Sequence, residues 1–176
     1  MSKYIPKYYS YEIANKVKEL AVEINDQYIN PAEQPLIVCV MKGALFFCSD
    51  LYSYFDKKCG FTYCSYSSYT GTEQTFKQKE VIFPDQENDL KLETVLVIDD
   101  ICDSGHTLAK ICSSPYLRQA KEIKSVALIN RAIPGKIYTP DWFAFESTDP
   151  LEWFVGYGMD DNQQSRNLKS ICIIDK

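Results

Sequence analysis

The chain is poor in the residues that build metal and membrane sites. It has one histidine in 176 residues, and its seven cysteines contain no Cys-x-x-Cys pair. That combination offers no ligand spacing for a structural zinc ion. Cys39, Cys48, Cys59, Cys64, Cys102, Cys112 and Cys172 are scattered, mostly among apolar neighbours. They read as small buried thiols in a reducing cytosol, hence a cytoplasmic location. No apolar run approaches the length of a membrane span. The opening Met1-Ser2-Lys3-Tyr4-Ile5-Pro6-Lys7 has no apolar core of signal-peptide length. A basic excess is missing as well, and the formal net charge of −5 argues against a general nucleic-acid binder. Internal repeats, low-complexity tracts and flexible linkers are absent. What remains is 45% hydrophobic and suits a single soluble domain over residues 1–176.

One stretch organises the rest. Val95-Leu96-Val97-Ile98 is apolar without a polar break and reads as a buried strand of a parallel sheet. Asp99 and Asp100 follow at its carboxyl end, then the small-residue turn Asp103-Ser104-Gly105, then His106-Thr107-Leu108 at the start of a helix. In open α/β sheets that edge is where ligands bind. Backbone N–H groups, two hydroxyls and a helix N-terminus there suit an anion. Adjacent strand residues point oppositely, so Asp99 and Asp100 cannot grip one metal ion in the same way. At least one of them suits sugar hydroxyls, and Asp103 is placed to accept a proton. The plainer alternative is an ordinary strand-to-helix turn capped by Asp103 or Ser104. His106 either flanks a ligand or is a tolerated loop residue. The G-x-x-x-x-G-K-[ST] spacing of a Walker loop is not present.

The remaining chain alternates helical and strand patterns, which implies a largely parallel sheet. Ile13, Val17, Leu20, Ala21 and Ile24 recur at helical spacing, predicting a helix from about Ser10 to Asp26 with Ser10 as N-cap. Leu36–Val40 reads as a buried strand leading through Met41-Lys42-Gly43-Ala44 into a helix near Leu45. That turn suits close backbone approach to a ligand, or is merely tight, with a solvated lysine. Phe61–Ser67 is a third strand, and Ser68–Gln74 has the composition of a surface loop. Glu80–Phe83 is expected to return as a strand. A helix is expected from Leu108 to about Leu117, with Pro115 clouding its end. Ser125–Asn130 and Trp142–Phe145 are further strands. In Glu152–Asp160, Trp153 and Phe154 either pack in the core or offer an aromatic face to a flat heterocycle.

Val95–Leu108 resembles the phosphoribosyl-pyrophosphate signature of type I phosphoribosyltransferases: apolar strand, two acids, two apolar residues, then D-[ST]-G-x-T. Glu152-Trp153-Phe154-Val155-Gly156-Tyr157-Gly158-Met159-Asp160, with Arg166-Asn167-Leu168, resembles the hypoxanthine-guanine branch of that family. The likeness runs from the first helix to Ile174. It implies an α/β fold with a largely parallel twisted sheet flanked by helices, and a small hood from the N-terminal residues and about 131–176. The activity implied is transfer of a phosphoribosyl group from phosphoribosyl pyrophosphate to N9 of a 6-oxopurine.

Carried over residue by residue, the resemblance gives Asp99, Asp100, Asp103, Ser104, Gly105, His106 and Thr107 to the phosphoribosyl group. Asp103 is the proton acceptor at purine N7. Met41, Lys42, Gly43 and Arg166 go to pyrophosphate, with a cis Met41–Lys42 peptide. Ser68 and Tyr69 belong to a loop that closes over the site. Magnesium falls to Asp160, with Asp99 and Asp100 as further candidates. The purine goes to Trp153, Phe154, Asp160 and Arg131. Arg131 stands where the family usually has a lysine donating to the exocyclic oxygen, and a differently placed gap puts Asn130 there instead. Met41 and Ala44 depart mildly from the L-K-G-G turn, and Asp99 is shorter than the glutamate often found first in the acid pair. The family usually forms dimers or tetramers, without nucleic acid or membrane as partner. Two rivals remain. An enzyme for adenine or orotate is disfavoured by the 153–160 segment, and a regulatory RNA-binding protein on the same fold by the acidic charge.

Overall fold

The computed structural model describes residues 3–29, 34–68, 79–84 and 94–175. Its central sheet is built from the apolar runs. β2 (Leu36–Met41), β5 (Thr94–Cys102) and β6 (Glu122–Arg131) lie inside it, flanked by β3 (Gly60–Ser68), β4 (Lys79–Ile82) and β7 (Trp142–Ser147). The order is β4-β3-β2-β5-β6-β7, parallel throughout except that β4 runs antiparallel to β3.

Both faces of this sheet are covered, which is why its inner strands carry apolar residues at successive positions. One set (Ile37, Cys39, Leu96, Ile98, Val126, Leu128) packs under α1 (Ser10–Gln27) and α2 (Leu45–Ser53). The other set (Leu36, Val38, Val40, Val95, Val97) packs with Leu108 and Ile111 of α3 (His106–Cys112). Each fully buried Leu, Ile or Phe here contributes roughly 1.5–3 kcal/mol.

Two helix ends differ from expectation. α1 is capped at Tyr9 rather than Ser10, because the Tyr9 N–H donates to the Glu12 carboxylate at 2.7 Å. α3 stops at Cys112 instead of running to Leu117. Pro115 has no N–H to continue the ladder, and the chain re-forms only a short 3-10 turn over Leu117–Gln119, whose first N–H donates to Ser114 Oγ at 3.4 Å.

A second, three-stranded antiparallel sheet stands beside the first. β9 (Ile171–Asp175) is its middle strand, between β1 (Lys3–Tyr8) and β8 (Phe154–Val155). Ile173 pairs with Ile5 on one side and Phe154 on the other. Neither β1 nor β9 is evident from the sequence pattern. Among the described residues, no helix is long and apolar enough to cross a membrane.

The order of connection fixes where a ligand can enter. From β2 the chain moves outward to β3, then returns to place β5 on the opposite side of β2. Such a reversal opens a crevice beyond the carboxyl ends of the two strands. The Met41–Gly43 turn ends one of them and the Asp99–Thr107 stretch ends the other.

Candidate active site

A polar pocket of about 260 Å³ occupies this crevice, lined by Met41, Lys42, Gly43, Tyr66, Asp99, Asp100, Thr107, Asp160 and Arg166 among others. A larger cavity of about 860 Å³, lined by residues such as Val81, Phe83, Lys110 and Tyr116, gathers neither the acid pair nor the glycine turn. Convergent charged groups, rather than size, mark the smaller pocket as the site.

β5 continues through both acids to Cys102, where the apolar run alone suggested an earlier stop. Asp99 pairs with Ala127 in the ladder and is 4% exposed. Its Oδ1 accepts the Asp100 N–H at 3.0 Å, and Asp100 Oδ1 accepts the Ile101 N–H at 2.8 Å. Burial, and then the charge on Asp100, hold the Asp99 carboxyl well above the usual carboxylate range. Burial raises Asp100 as well. A buried acid beside a half-buried one is costly when both are charged.

Opposite them, the Met41–Lys42 peptide is cis, as the resemblance implies, and Lys42 is exposed. The Gly43 carbonyl oxygen sits against Gly158, whose φ of +103° and crowded α-carbon leave no room for a side chain. Arg166 donates to the Gly158 carbonyl at 2.7 Å and pairs with Asp160 Oδ1 at 2.6 Å. Asp160 Oδ2 accepts the Gln163 N–H at 2.8 Å. Among the described residues no three metal-ligating side chains form a ready cluster. Carboxylates on opposite sides of the pocket still fit a hard cation that completes its shell with water and ligand oxygens.

The glycine turn closes the floor. Gly105 has φ +87°, and a β-carbon there would fall 2.5 Å from the Tyr138 carbonyl oxygen. Ser104 Oγ and His106 Nδ1 lie 2.9 Å apart, and the Ser104 carbonyl accepts the Ile137 N–H at 2.9 Å. Asp103, Ser104, Gly105, His106 and Thr107 line a small hollow of about 50 Å³. His106 is exposed beside it. Of the expected closing loop, Ser68 ends β3, while Tyr69 and residues 70–74 lie outside the described residues.

On the hood side Trp153 is 58% exposed and Phe154 is 4% exposed. Trp153 therefore leaves an aromatic face open to solvent. Phe154 belongs to the core and to the β8–β9 ladder.

Residues 8–162 match the phosphoribosyl transferase domain family. A hypoxanthine-guanine phosphoribosyltransferase of Bacillus subtilis is 34% identical over 164 residues, spanning 93% of this chain and 88% of that protein. The chain belongs to the phosphoribosyltransferase family. A hypoxanthine-guanine-xanthine phosphoribosyltransferase of Tritrichomonas foetus is 30% identical over 165 residues, covering 93% of this chain and 87% of that protein. The solved structure of a hypoxanthine-guanine phosphoribosyltransferase from Bacillus anthracis superposes with a TM-score of 0.81 and 26% identity, over 99% of this chain and 100% of that one. Membership makes the chain an enzyme of that transferase class.

Two cations of this phosphoribosyltransferase sit otherwise than the sequence suggests. The sequence reading points the Arg131 guanidinium at the base. Both of its terminal nitrogens instead donate to hood carbonyls, Nη1 to Asp149 and Nη2 to Glu152 at 2.9 Å. The reason is burial: with 4% exposure the head must find acceptors nearby. Asn130, the alternative, is also buried, and its Oδ1 accepts from Lys136. Lys136 is the residue sequence reasoning missed. Its ammonium also donates to the carbonyls of Cys102 at 2.6 Å and Arg131 at 3.1 Å, so it bridges the ends of β5 and β6 next to Asp103. The one available signal was a lone lysine in the Pro134-Gly135 turn.

Proposed function

We propose that the protein is a purine-salvage enzyme that moves a 5-phosphoribosyl group from phosphoribosyl pyrophosphate to N9 of hypoxanthine, guanine or xanthine, releasing pyrophosphate. The observation that carries this is the convergence of paired acids, glycine turn and Arg166–Asp160 pair around one polar crevice at the switch point of the sheet. A ligand with hydroxyls between two phosphate-bearing ends matches that sequence of groups.

In this reading Asp99 and Asp100 accept hydrogen bonds from the ribose hydroxyls. The backbone N–H groups and hydroxyls of Asp103–Thr107 take the 5′-phosphate. Lys42, the Gly43 backbone and Arg166 receive the pyrophosphate, whose charge grows as the bond to ribose breaks. Asp103 takes or shares the proton at N7, which makes N9 the better nucleophile. Trp153 stacks on the base. The 6-oxygen is taken by Lys136, exchanging the rotatable Asn130 amide for the base oxygen while it keeps its two carbonyl partners. Magnesium would be held by Asp99, Asp100 and Asp160 with substrate oxygens, and when bound it supplies positive charge to the leaving pyrophosphate. The reading extends to a cytoplasmic homodimer or homotetramer that acts on free substrates and engages neither nucleic acid nor membrane.

Steady-state assays with phosphoribosyl pyrophosphate, magnesium and a panel of hypoxanthine, guanine, xanthine, adenine and orotate test it. Turnover confined to the three 6-oxopurines is expected. Preference for adenine or orotate, or no turnover with any base, would overturn it.

A further inference from the structure

The proton acceptor and the segment that carries the aromatic platform lie on separate parts of the fold, Asp103 after β5 and exposed Trp153 beside the buried Phe154 in the hood. One side chain touches both Asp103 and that hood segment. Arg131, the last residue of β6, has a side chain only 5% exposed, and its Nε lies 2.6 Å from Oδ1 of Asp103. Its terminal nitrogens donate to the Asp149 and Glu152 carbonyls, which precede the platform. Its Cζ lies 5.2 Å from the centroid of the Phe154 ring. Glu152 is fixed from the other side, since its carboxylate pairs with Lys7 and accepts from Ser147 Oγ at 2.7 Å.

The charges here are unequal in burial. A guanidinium so enclosed needs a counter-charge, and among the described residues Asp103 is the carboxylate within ion-pair distance of it. The Asp103 side chain is itself 60% exposed, so packing does not fix its direction. The Nε–H has no aligned acceptor, which makes the contact one of charge rather than a directed hydrogen bond. The carboxylate is thus held in place while its lone pairs stay open to a ligand.

We infer that Arg131 is a positioning residue that sets the Asp103 carboxylate and registers it against β8 and the Trp153 that precedes it. The inference rests on the proposed function, in which Asp103 meets the base. A planar fork can address two carbonyls and a carboxylate together, whereas an ammonium is a point donor and cannot span all three.

A double-mutant cycle on kcat with hypoxanthine tests it. Asp103→Asn lowers kcat by about 10²-fold or more. Arg131→Lys, which keeps the buried charge, lowers kcat by at least about tenfold while KM for phosphoribosyl pyrophosphate stays within about twofold. In the Asp103→Asn background the same lysine change costs less than about twofold, because the group it acts through is already gone. Equal losses in both backgrounds overturn the inference and leave the proposed function standing. Full activity of Asp103→Asn alone removes the role of Asp103, and the inference falls with it. A second measurement needs no change at Arg131. Asp103→Asn strips the counter-charge from a buried guanidinium and lowers Tm by at least about 3 °C. An unchanged or raised Tm overturns the inference.

Discussion

Gly43 lies directly against Asp100: a β-carbon built on Gly43 would fall 1.7 Å from Asp100 Oδ2 and 2.6 Å from its Cγ. The Met41–Gly43 turn and the acid pair therefore share one surface, with no room between them for a side chain. Gly43→Ala must displace the Asp100 carboxylate, which is the flexible partner in that contact. The expected result is a rise in KM for phosphoribosyl pyrophosphate of about tenfold or more, the equivalent of one lost hydrogen bond to a charged group. KM for the base should change little. A variant with wild-type kinetics for both substrates would show that Asp100 does not need its present position.

The acid pair also predicts a pH dependence of stability. Burial and the neighbouring charge raise the Asp99 carboxyl well above its ordinary value. The unfolded chain loses that proton near pH 4. Above that point the folded state binds more protons than the unfolded one, so this contribution to stability falls as pH rises toward the raised folded value. Asp99→Asn has no such titration and keeps an oxygen for the Asp100 N–H. In thermal unfolding without divalent cations, Tm of the variant minus Tm of the parent should grow as pH climbs from about 4 to about 7.5. A difference that stays flat over this range would mean that Asp99 ionises alike in both states.

How much of this was legible in the sequence depends on where each residue's partner lies. Val95–Ile98 and Leu36–Val40 declare themselves because their own apolar runs satisfy a sheet covered on both faces. The glycine turn declares itself because φ > 0 at Gly105 demands that residue. The hood was a different matter. Ile5 acquires meaning only by pairing with Ile173, at the far end of the chain, and Lys3–Tyr8 carries no pattern of its own. Arg131 was placed by its position in a strand, but its direction is set by the Asp149 and Glu152 carbonyls on another layer. Lys136 sits in a loop whose path is fixed by the Ile137 N–H bond to Ser104. Sequence spacing does not encode any of these meetings.

Lys136 carries the next prediction. Its ammonium bridges the Cys102 and Arg131 carbonyls and the Asn130 amide. Lys136→Met keeps most of the stem and removes the charge. If this lysine takes the 6-oxygen, kcat/KM for hypoxanthine, guanine and xanthine should each drop by at least about tenfold, the loss of one charged hydrogen bond. Adenine, which offers an amino group at that position, should gain relative to them. Equal proportional losses for adenine and hypoxanthine would reduce Lys136 to a brace between β5 and β6.

Trp153 separates a ligand platform from a piece of core. The residue is 58% exposed, while its carbonyl accepts the Ile174 N–H at 3.2 Å and so holds the backbone beside β9. Trp153→Ala leaves that backbone bond in place and uncovers little apolar surface, so stability should change by no more than about 0.5 kcal/mol. Stacking of an aromatic side chain on a nucleobase contributes about 1–3 kcal/mol by alanine substitution. The base KM should accordingly rise by roughly five- to a hundredfold, with KM for phosphoribosyl pyrophosphate unchanged. Trp153→Phe should recover most of the loss, because a smaller ring still offers a face. Thermal unfolding and base titrations on the same two variants separate the possibilities. A large fall in Tm with an unchanged base KM would place Trp153 in the hood's packing and leave the base to be held by its edges alone.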